Sequence, residues 1–300
     1  MRVLVAGREG QVARALASVL PREGHAVVAL EPPELDITDA GSIEAAMRQA
    51  QPDLVVNAAA YTAVDRAEDE PEAAMAVNCD GAARLAEAAA TRGLPVLHLS
   101  TDYVFDGTKG APYVEADAPN PLGVYGATKL AGEGAVLACN PRSLILRTAW
   151  VCSPDGANFV KTMLRLAAER PELRVVADQQ GAPTFAEDLA DAIAHLAPRM
   201  IAAPAGDPGF GLFHLTGVPH TTWHGFAAAI LDGAARRGHP RPALAAIATA
   251  DYPTRARRPA DARLDCARIG RVHGIVPADW RLSLARCLDA LLGPEKEQQA

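Results

Sequence analysis

The residues best suited to chemistry lie in one stretch of the chain, from Ser100 to Glu133. Thr101 stands near its start, and Tyr125 and Lys129 stand four residues apart near its end. The segment between them is rich in proline and cannot be helical, so Thr101 ends a strand and Tyr125 begins a new helix. A spacing of four residues places the phenol and the ammonium on one face of that helix.

These three side chains could protonate a carbonyl oxygen. A free phenol has a pKa of about 10, too high for ready proton exchange at neutral pH, and an adjacent cation lowers it. Tyr125 would then be the acid, Lys129 the group that lowers its pKa, and Thr101 the hydroxyl that orients a substrate oxygen. Because a Tyr and a Lys four residues apart also occur by chance, the catalytic interpretation depends on the motifs around the pair.

A dinucleotide-binding turn is predicted at the N-terminus. Arg2 to Ala6 is a short apolar run that suits a strand buried on both faces in a parallel sheet. Gly7, Gly10 and Ala13 follow as a Gly-x-x-Gly-x-x-Ala turn that opens a helix. Glycines let the backbone approach a pyrophosphate, and the helix N-terminus supplies N–H donors. An ordinary glycine turn is the simpler alternative for this pattern.

Two signals about the cofactor conflict. Glu31 stands at the end of the second predicted strand, His25 to Leu30, where an acid would bind the adenosine ribose and favour NAD. Arg8, inside the glycine turn, could pair with the 2′-phosphate of NADP. Pro32 and Pro33 follow Glu31 and would carry it away from the turn. We therefore predict use of NADPH or NADH, with a modest preference for NADPH.

The order of elements predicts an α/β fold with a Rossmann-like, doubly wound parallel sheet and a smaller α/β C-terminal substrate-binding domain. Strands and helices alternate up to Trp150, and the pattern then loosens. The predicted NAD(P)-binding domain is 1–150, with 186–216 returning to it; within that segment a Pro/Gly-rich link at 198–209 separates a predicted helix from a predicted strand. The predicted substrate-binding domain is 151–185 with 217–293, and 294–300 is a predicted tail.

Composition excludes several classes of function. The formal charge is -7, and the chain carries no dense Lys/Arg cluster, so a nucleic-acid partner is not expected. Five scattered cysteines without Cys-x-x-Cys spacing support neither a disulfide framework nor a zinc site. The first apolar run stops at Gly7, too short for a signal peptide or a membrane span. We expect a globular, cytoplasmic protein with no membrane partner.

Several longer stretches carry a family resemblance. They include Gly-Arg-Glu-Gly-Gln-Val, Val-Asn-Ala-Ala-Ala-Tyr, Ser-Thr-Asp-Tyr-Val-Phe, Val-Tyr-Gly-Ala-Thr-Lys, Asp-Gln-Gln-Gly-Ala-Pro-Thr and Arg-Arg-Pro-Ala-Asp-Ala. Along nearly its whole length the chain resembles the extended short-chain dehydrogenases/reductases and, within them, the dTDP-4-dehydrorhamnose reductase family. The resemblance implies NAD(P)H-dependent reduction of the C4 keto group of a dTDP-sugar, dTDP-4-dehydro-L-rhamnose, in dTDP-rhamnose biosynthesis.

The resemblance also implies specific site residues. The catalytic triad would be Thr101, Tyr125 and Lys129. Besides Tyr125, Lys129 and Arg8, the cofactor-binding residues would be Gly7, Gly10, Gln11, Val12, Asp36, Ile37, Ala58, Ala59, Ala60 and Tyr61. Besides Thr101 and Tyr125, the residues around the nucleotide sugar would be Asp102, Tyr103, Val104, Phe105, Trp150 and Arg258. Among these we expect Arg258 at the diphosphate, and Phe105 and Trp150 as apolar faces for the sugar or the base.

Some alternatives remain open. A nucleotide-sugar epimerase would share the fold, whereas a dehydratase of this group places Asp-Glu after the Thr, and here Tyr103 follows Asp102. A non-catalytic regulatory subunit of the methionine adenosyltransferase type also resembles these reductases. Some family members form metal-bridged dimers through an acid on the first helix, a position that looks like Ala15 here. We therefore expect no metal, and leave a homodimer open.

Overall fold

The computed structural model describes residues 1–295, and a sheet of six parallel strands forms its centre. The strands in chain order are β1 (Arg2–Ala6), β2 (Ala26–Leu30), β3 (Leu54–Asn57), β4 (Val96–Thr101), β5 (Ser143–Thr148), β6 (Val151–Cys152), β7 (Glu172–Val176), β8 (Gln180–Gly181), β9 (Thr184–Phe185), β10 (Gly211–His214), β11 (Thr221–Thr222) and β12 (Ala243–Ile247). The central sheet has the order β2-β1-β3-β4-β5-β10, and each neighbouring pair is parallel. This arrangement confirms the predicted doubly wound α/β fold.

The helices connect and cover these strands. They are α1 (Gln11–Arg22), α2 (Ala40–Ala50), α3 (Val64–Ala67), α4 (Pro71–Met75), α5 (Ala82–Ala90), α6 (Val124–Cys139), α7 (Phe159–Glu169), α8 (Ala186–Ala202), α9 (Trp223–Arg236), α10 (Ala267–His273) and α11 (Trp280–Leu292). A π-helical turn, Ala76–Gly81, joins α4 to α5. Pro198 lies inside α8, so the helix continues past the residue at which the predicted link begins.

Two apolar layers hold the sheet. On one face, Leu16 of α1 and Ile193 of α8 are fully buried against sheet residues such as Val5. On the other face, Ile43 of α2 and Leu85 of α5 pack against the opposite side of the same strands. Strands buried on both faces require continuous apolar runs, which explains why they could be recognised without alternation.

A third apolar cluster forms the C-terminal part. It contains Phe226 of α9, Trp280 and Leu284 of α11 and Val160 of α7. Beside it, β7 and β12 pair in parallel as a separate two-stranded sheet. β12 was not predicted because its Ala-rich sequence has little strand propensity.

The chain passes more than once between these two parts. After 151–185, α8 packs on α1 and β10 pairs with β5, so 186–214 joins the central sheet. Ile269 and Ile275 also pack in the core of the central sheet, although they lie inside the range predicted for the other domain. Of the predicted tail, residues 296–300 lie outside the described part of the chain. Within 1–295, no helix is long and apolar enough to cross a membrane.

Candidate active site

Thr101 lies where β4 ends at the carboxyl edge of the sheet. Its side chain is buried, and its Oγ1 accepts the backbone N–H of Tyr103 at 3.2 Å. The same hydroxyl donates to Asp102 Oδ1 at 3.1 Å. Thr101 thus begins the short 3-10 turn Asp102–Val104 and turns the chain across the edge of the sheet.

Two glycines bring helix α6 close to this edge. A Cβ added at Gly126 would clash with the carbonyl group of Tyr103, and one added at Gly132 would clash with the carbonyl of Asn78. The first N–H of the helix, that of Val124, donates to Glu68 Oε1 at 2.8 Å. These close contacts fix the position of α6, which carries Tyr125 and Lys129 on one face.

The phenol of Tyr125 sits in a partly buried, uncharged setting. Burial raises the pKa of Tyr125 above its ordinary value, and the nearby Thr101 hydroxyl opposes that shift only in part. The ring meets that of Tyr103 edge to face, with centroids 5.5 Å apart. The prediction that Lys129 lowers the pKa of Tyr125 is therefore wrong.

Lys129 explains the difference. Its Nζ donates to the backbone carbonyl of Leu99 at 2.7 Å and lies 3.4 Å from His98 Nε2, both on β4. Burial lowers the pKa of Lys129 to about 8, and Glu133 acts in the opposite direction. Spacing along the helix places phenol and ammonium on one face, but the strand beneath decides where the ammonium points.

Asp102 is buried behind the reactive edge. Its Oδ1 accepts the Thr101 hydroxyl, and its Oδ2 has no hydrogen-bond partner among the described residues. Burial raises the pKa of Asp102 to about 7. The Asp102 carboxyl is therefore connected to the reactive edge by its hydrogen bond with the Thr101 hydroxyl.

The predicted contacts of Val104 and Phe105 with the sugar need correction. Both side chains are buried in a small apolar cluster with Tyr113. The Phe105 ring stacks on Tyr113 at a centroid distance of 4.1 Å and lies 5.0 Å from the Arg147 guanidinium. These rings belong to the core, so only the backbone of this segment is left for a ligand.

Arg258 lies beside the reactive edge, as predicted. Its guanidinium donates to the Tyr103 hydroxyl at 2.9 Å and to Asp65 Oδ2 at 2.8 Å. It also lines a cavity of about 530 Å³ in the C-terminal part. The cavity combines basic, amide and aromatic side chains, among them Phe159, Arg170, Arg174, Gln179, Trp223 and Tyr252.

Trp223, which the sequence analysis left out, contributes an aromatic wall to this cavity. Trp150 stacks on it with ring centroids 3.7 Å apart. The backbone of Trp150 has a φ of +47°, and a Cβ on Gly181 would clash with its ring. A left-handed backbone conformation is rare for a residue other than glycine. Trp150 does not itself line the cavity but supports Trp223, which does.

The glycine turn at the end of β1 fits a dinucleotide. Gly7 has a φ of +107° and lies against Ala58, whereas the space beside Gly10 is open. In the described chain no side chain caps α1, so its first N–H groups are open to an anion. The Nε of Arg8 is buried and has no hydrogen-bond partner within residues 1–295.

Other predicted cofactor residues surround this turn. Ala58, Ala59, Ala60 and Tyr61 form the partly exposed loop after β3, and Asn78 of the π-helical turn accepts the Tyr61 N–H at 2.8 Å and donates to Thr128 of α6 at 3.1 Å. Four of the predicted side chains are engaged within the protein itself. Val12 and Ile37 are buried in the core, and the Gln11 amide bonds Val151 and Asn158. Asp36 accepts from Thr38 within its own loop.

Glu31 stays at the glycine turn, so the prediction that the prolines carry it away is wrong. Its Oε2 accepts the backbone N–H groups of Arg8 at 3.2 Å and Glu9 at 3.0 Å. The guanidinium of Arg8 pairs instead with Glu34 at 2.7 Å. A carboxylate thus occupies the place where the adenosine ribose is expected, and the basic group is already paired.

Comparisons with known proteins agree with this geometry. The family model described as RmlD substrate binding domain matches residues 1–292. The dTDP-4-dehydrorhamnose reductase of Sinorhizobium fredii is 46% identical over 292 residues, which cover 97% of this chain and 98% of that protein. The crystal structure of a dTDP-4-dehydrorhamnose reductase from Clostridium acetobutylicum matches with a TM-score of 0.90 at 34% identity, covering 97% of this chain and 99% of that chain. That of the Bacillus anthracis enzyme in complex with NADP has a TM-score of 0.88 at 32% identity, covering 96% and 98%.

Proposed function

The chain belongs to the dTDP-4-dehydrorhamnose reductase family, and from that membership we propose that Thr101, Tyr125 and Lys129 carry its reaction. The reaction is the NADPH- or NADH-dependent reduction of the C4 keto group of dTDP-4-dehydro-L-rhamnose to dTDP-L-rhamnose. One observation supports the assignment to these residues most strongly. Tyr125 and Thr101 lie together at the carboxyl edge of the sheet, and Arg258 binds Tyr103 at that edge while lining a cavity of mixed apolar and basic side chains.

The cofactor would lie along the carboxyl ends of β1, β3 and β4. Gly7, Gly10 and the first turn of α1 would bind its pyrophosphate, and Ala58 to Tyr61 would lie along its length. When bound, the reduced nicotinamide supplies the hydride. Glu31 would meet the adenosine ribose, because its carboxylate already lies at the turn.

The nucleotide part of the substrate would occupy the cavity that Arg258 lines. At about 530 Å³ the cavity is of the size used for small-molecule ligands. Arg258 would bind the diphosphate through two N–H groups, which it now uses on Tyr103 and Asp65. Trp223 would offer a flat face to the base. The sugar would then extend past Tyr103 towards Tyr125.

Proton transfer would come from Tyr125. Its phenol is kept protonated by burial, as an acid must be before the reaction. As the carbonyl is reduced, the phenol proton passes to the carbonyl oxygen, and no free alkoxide accumulates. Thr101 would turn its hydroxyl hydrogen from Asp102 to the same oxygen and hold it in place.

The test is turnover by a Tyr125→Phe variant. We expect kcat to fall by roughly 10² to 10⁴, because a general acid contributes about that much to the rate, while NADPH binding persists. Oxidation of NADPH with dTDP-4-dehydro-6-deoxy-L-mannose measures it. Tyr113→Phe is the matched control, since its hydroxyl bonds only the loop around Asp106. Near-wild-type kcat in the Tyr125 variant would make that residue structural.

The wild-type assay also separates the other readings. An epimerase would interconvert dTDP-sugars without net oxidation of NADPH, and a regulatory subunit would turn over no dTDP-4-keto sugar. The sequence already lacks the acid that a dehydratase carries after Asp102, and the hydroxyl of Tyr103 at that position binds Arg258. Absence of turnover with every dTDP-4-keto sugar would contradict the proposal.

We propose further that residues 1–150 with 186–216 form the cofactor-binding unit and that 151–185 with most of 217–293 form the substrate-binding unit. A cytoplasmic location suits an enzyme that uses nicotinamide cofactors and carries free cysteine thiols. The family resemblance leaves a homodimer open, and sedimentation equilibrium of the purified chain tests it.

A further inference from the structure

Three buried polar side chains form a row that ends on Lys129. Asn57 at the end of β3, His98 in the middle of β4 and Lys129 on α6 are 1%, 0% and 2% exposed. Asn57 Nδ2 lies 3.0 Å from His98 Nδ1, and His98 Nε2 lies 3.4 Å from Lys129 Nζ. A histidine in a buried, otherwise apolar strand needs partners on both ring nitrogens, and this row supplies them.

The backbone of Ala59 fixes the orientation of the Asn57 amide and so the direction of the hydrogen bonds along the row. The backbone N–H of Ala59 donates to Asn57 Oδ1 at 3.2 Å, so the amide nitrogen of Asn57 faces His98. Because an amide nitrogen only donates, Nδ1 of His98 is the accepting nitrogen. Burial lowers the pKa of His98 well below its ordinary value, so the ring is neutral. Its single proton therefore lies on Nε2, facing Lys129.

Lys129 consequently meets one acceptor and one donor. Its Nζ donates to the Leu99 carbonyl at 2.7 Å, while the N–H of His98 points at the same nitrogen. A neutral amine has a lone pair that can accept this N–H, whereas an ammonium has only hydrogens to offer. The geometry thus favours the amine over the ammonium, in the same direction in which burial acts.

The other groups that face Lys129 do not cancel this preference. Glu133, one turn further along α6, attracts the ammonium, but its carboxylate is bound by Arg147 at 2.6 Å and 2.8 Å and by Ser100. Tyr125, one turn earlier, is an uncharged phenol. Asn57 and Leu99 carry no charge.

We propose that His98, oriented by Asn57, is a positioning residue that holds the nitrogen of Lys129 against β4 and lowers its affinity for a proton. The inference rests on the proposed role of Lys129 in the reaction. The Nε2–H of His98 and the carbonyl of Leu99 face the same nitrogen, and only the amine can donate to the one and accept from the other.

The first test uses the unaltered protein. Imidazole ¹⁵N shifts distinguish the two neutral histidine tautomers, and the His98 signal is identified by its loss in a His98→Gln variant. We expect the proton on Nε2 and a hydrogen-bonded, unprotonated Nδ1 across the neutral range. A proton on Nδ1 would overturn the inference, even if every variant failed to fold.

The second test measures Lys129 directly. The chain has four lysines, so ¹³Cε signals can be assigned with a Lys129→Met variant. His98→Gln replaces the ring N–H with an amide that can turn its oxygen to Nζ. We expect the titration of Lys129 to move up by about one pH unit, the size of one net hydrogen bond. The alkaline limb of the kcat profile should move with it.

His273→Gln is the matched control, because His273 is also buried and bonds the carbonyl of Gly209, away from Lys129. It should leave both titrations where they are. An unmoved Lys129 titration in His98→Gln would overturn the inference. A moved titration with an unmoved kcat limb would also overturn it, since the protonation of Lys129 would then have no bearing on the reaction. Loss of the proposed function shows separately, as a wild-type protein without turnover.

Discussion

Replacing Gly126 with alanine should displace the helix that carries the acid. A Cβ at this position would lie 2.9 Å from the carbonyl carbon of Tyr103 and 3.0 Å from Pro121 Cβ. Carbon atoms in contact normally lie about 3.5 to 4.0 Å apart, so α6 would have to withdraw by about 1 Å. Both neighbours are backbone or ring atoms and cannot turn aside. Tyr125 is the adjacent residue and would move with the helix.

A displacement of about 1 Å at the reacting groups costs roughly 10²-fold in rate. We therefore expect kcat of Gly126→Ala to fall about a hundredfold, with an overpacking cost of about 1 to 3 kcal/mol in the free energy of unfolding. The KM for NADPH should change far less than kcat, because Tyr125 moves while the glycine turn that would bind the pyrophosphate is untouched. Stopped-flow hydride transfer and urea unfolding measure the two effects.

Gly134→Ala is the control on the same helix. Its Cβ would meet nothing within 4 Å, so only helix propensity changes, a gain of up to about 1 kcal/mol. Its kcat should equal that of the wild type. If Gly126→Ala also keeps wild-type kcat, the close approach of α6 to Tyr103 does not position the acid, and the reasoning fails.

Three further outcomes follow from the same contacts. Lys129→Met should lose turnover yet gain about 3 kcal/mol in unfolding free energy at neutral pH, because burial lowers the pKa of Lys129 to about 8 from its ordinary 10.5. Between pH 8 and 10.5 the unfolded chain binds a proton at Lys129 that the folded chain lacks, so the stability of the wild type should rise with pH over this range. The difference in stability between Lys129→Met and the wild type should therefore disappear at high pH, and chemical denaturation measures it. Glu31→Ala should raise the ratio of kcat/KM for NADPH to that for NADH by roughly tenfold, because it removes a carboxylate from the ribose site. Arg8→Ala should lower the same ratio. Unchanged ratios would place both residues away from the 2′ position of the ribose. Arg258→Ala should raise KM for the dTDP-sugar by roughly 10- to 100-fold and hardly affect KM for NADPH, whereas equal rises would place Arg258 outside the sugar site.

The sheet could be predicted from the sequence because its strands must be apolar on both faces. Arg2–Ala6 was predicted to the residue, and the strand predicted at His25 to Leu30 begins one residue later, at Ala26. The parallel, doubly wound arrangement followed from the alternation of strands with helices. β12 was not predicted because its alanines do not form the β-branched, apolar run that indicates a buried strand.

The site was predictable in its members and less so in their interactions. The spacing of Tyr125 and Lys129 fixes their shared helix face, but the contacts of Lys129 come from His98 and Leu99, about thirty residues earlier on another element. An aromatic such as Phe105 could serve a ligand or a core, and Tyr113 decides for the core. Such choices depend on tertiary packing, which local pattern does not encode.

The π-helical turn at Ala76–Gly81 contains one more residue per turn than an α-helix, and the contacts beside the site depend on that number of residues. A regular α-helix turns about 100° and rises 1.5 Å per residue, so deleting one residue here would restore regular geometry and rotate one half of the segment against the other. Asn78 could then no longer reach both Tyr61 and Thr128, which it now joins. Side chains of this segment other than Asn78 could vary during evolution, but its residue count could not, unlike that of an ordinary surface loop.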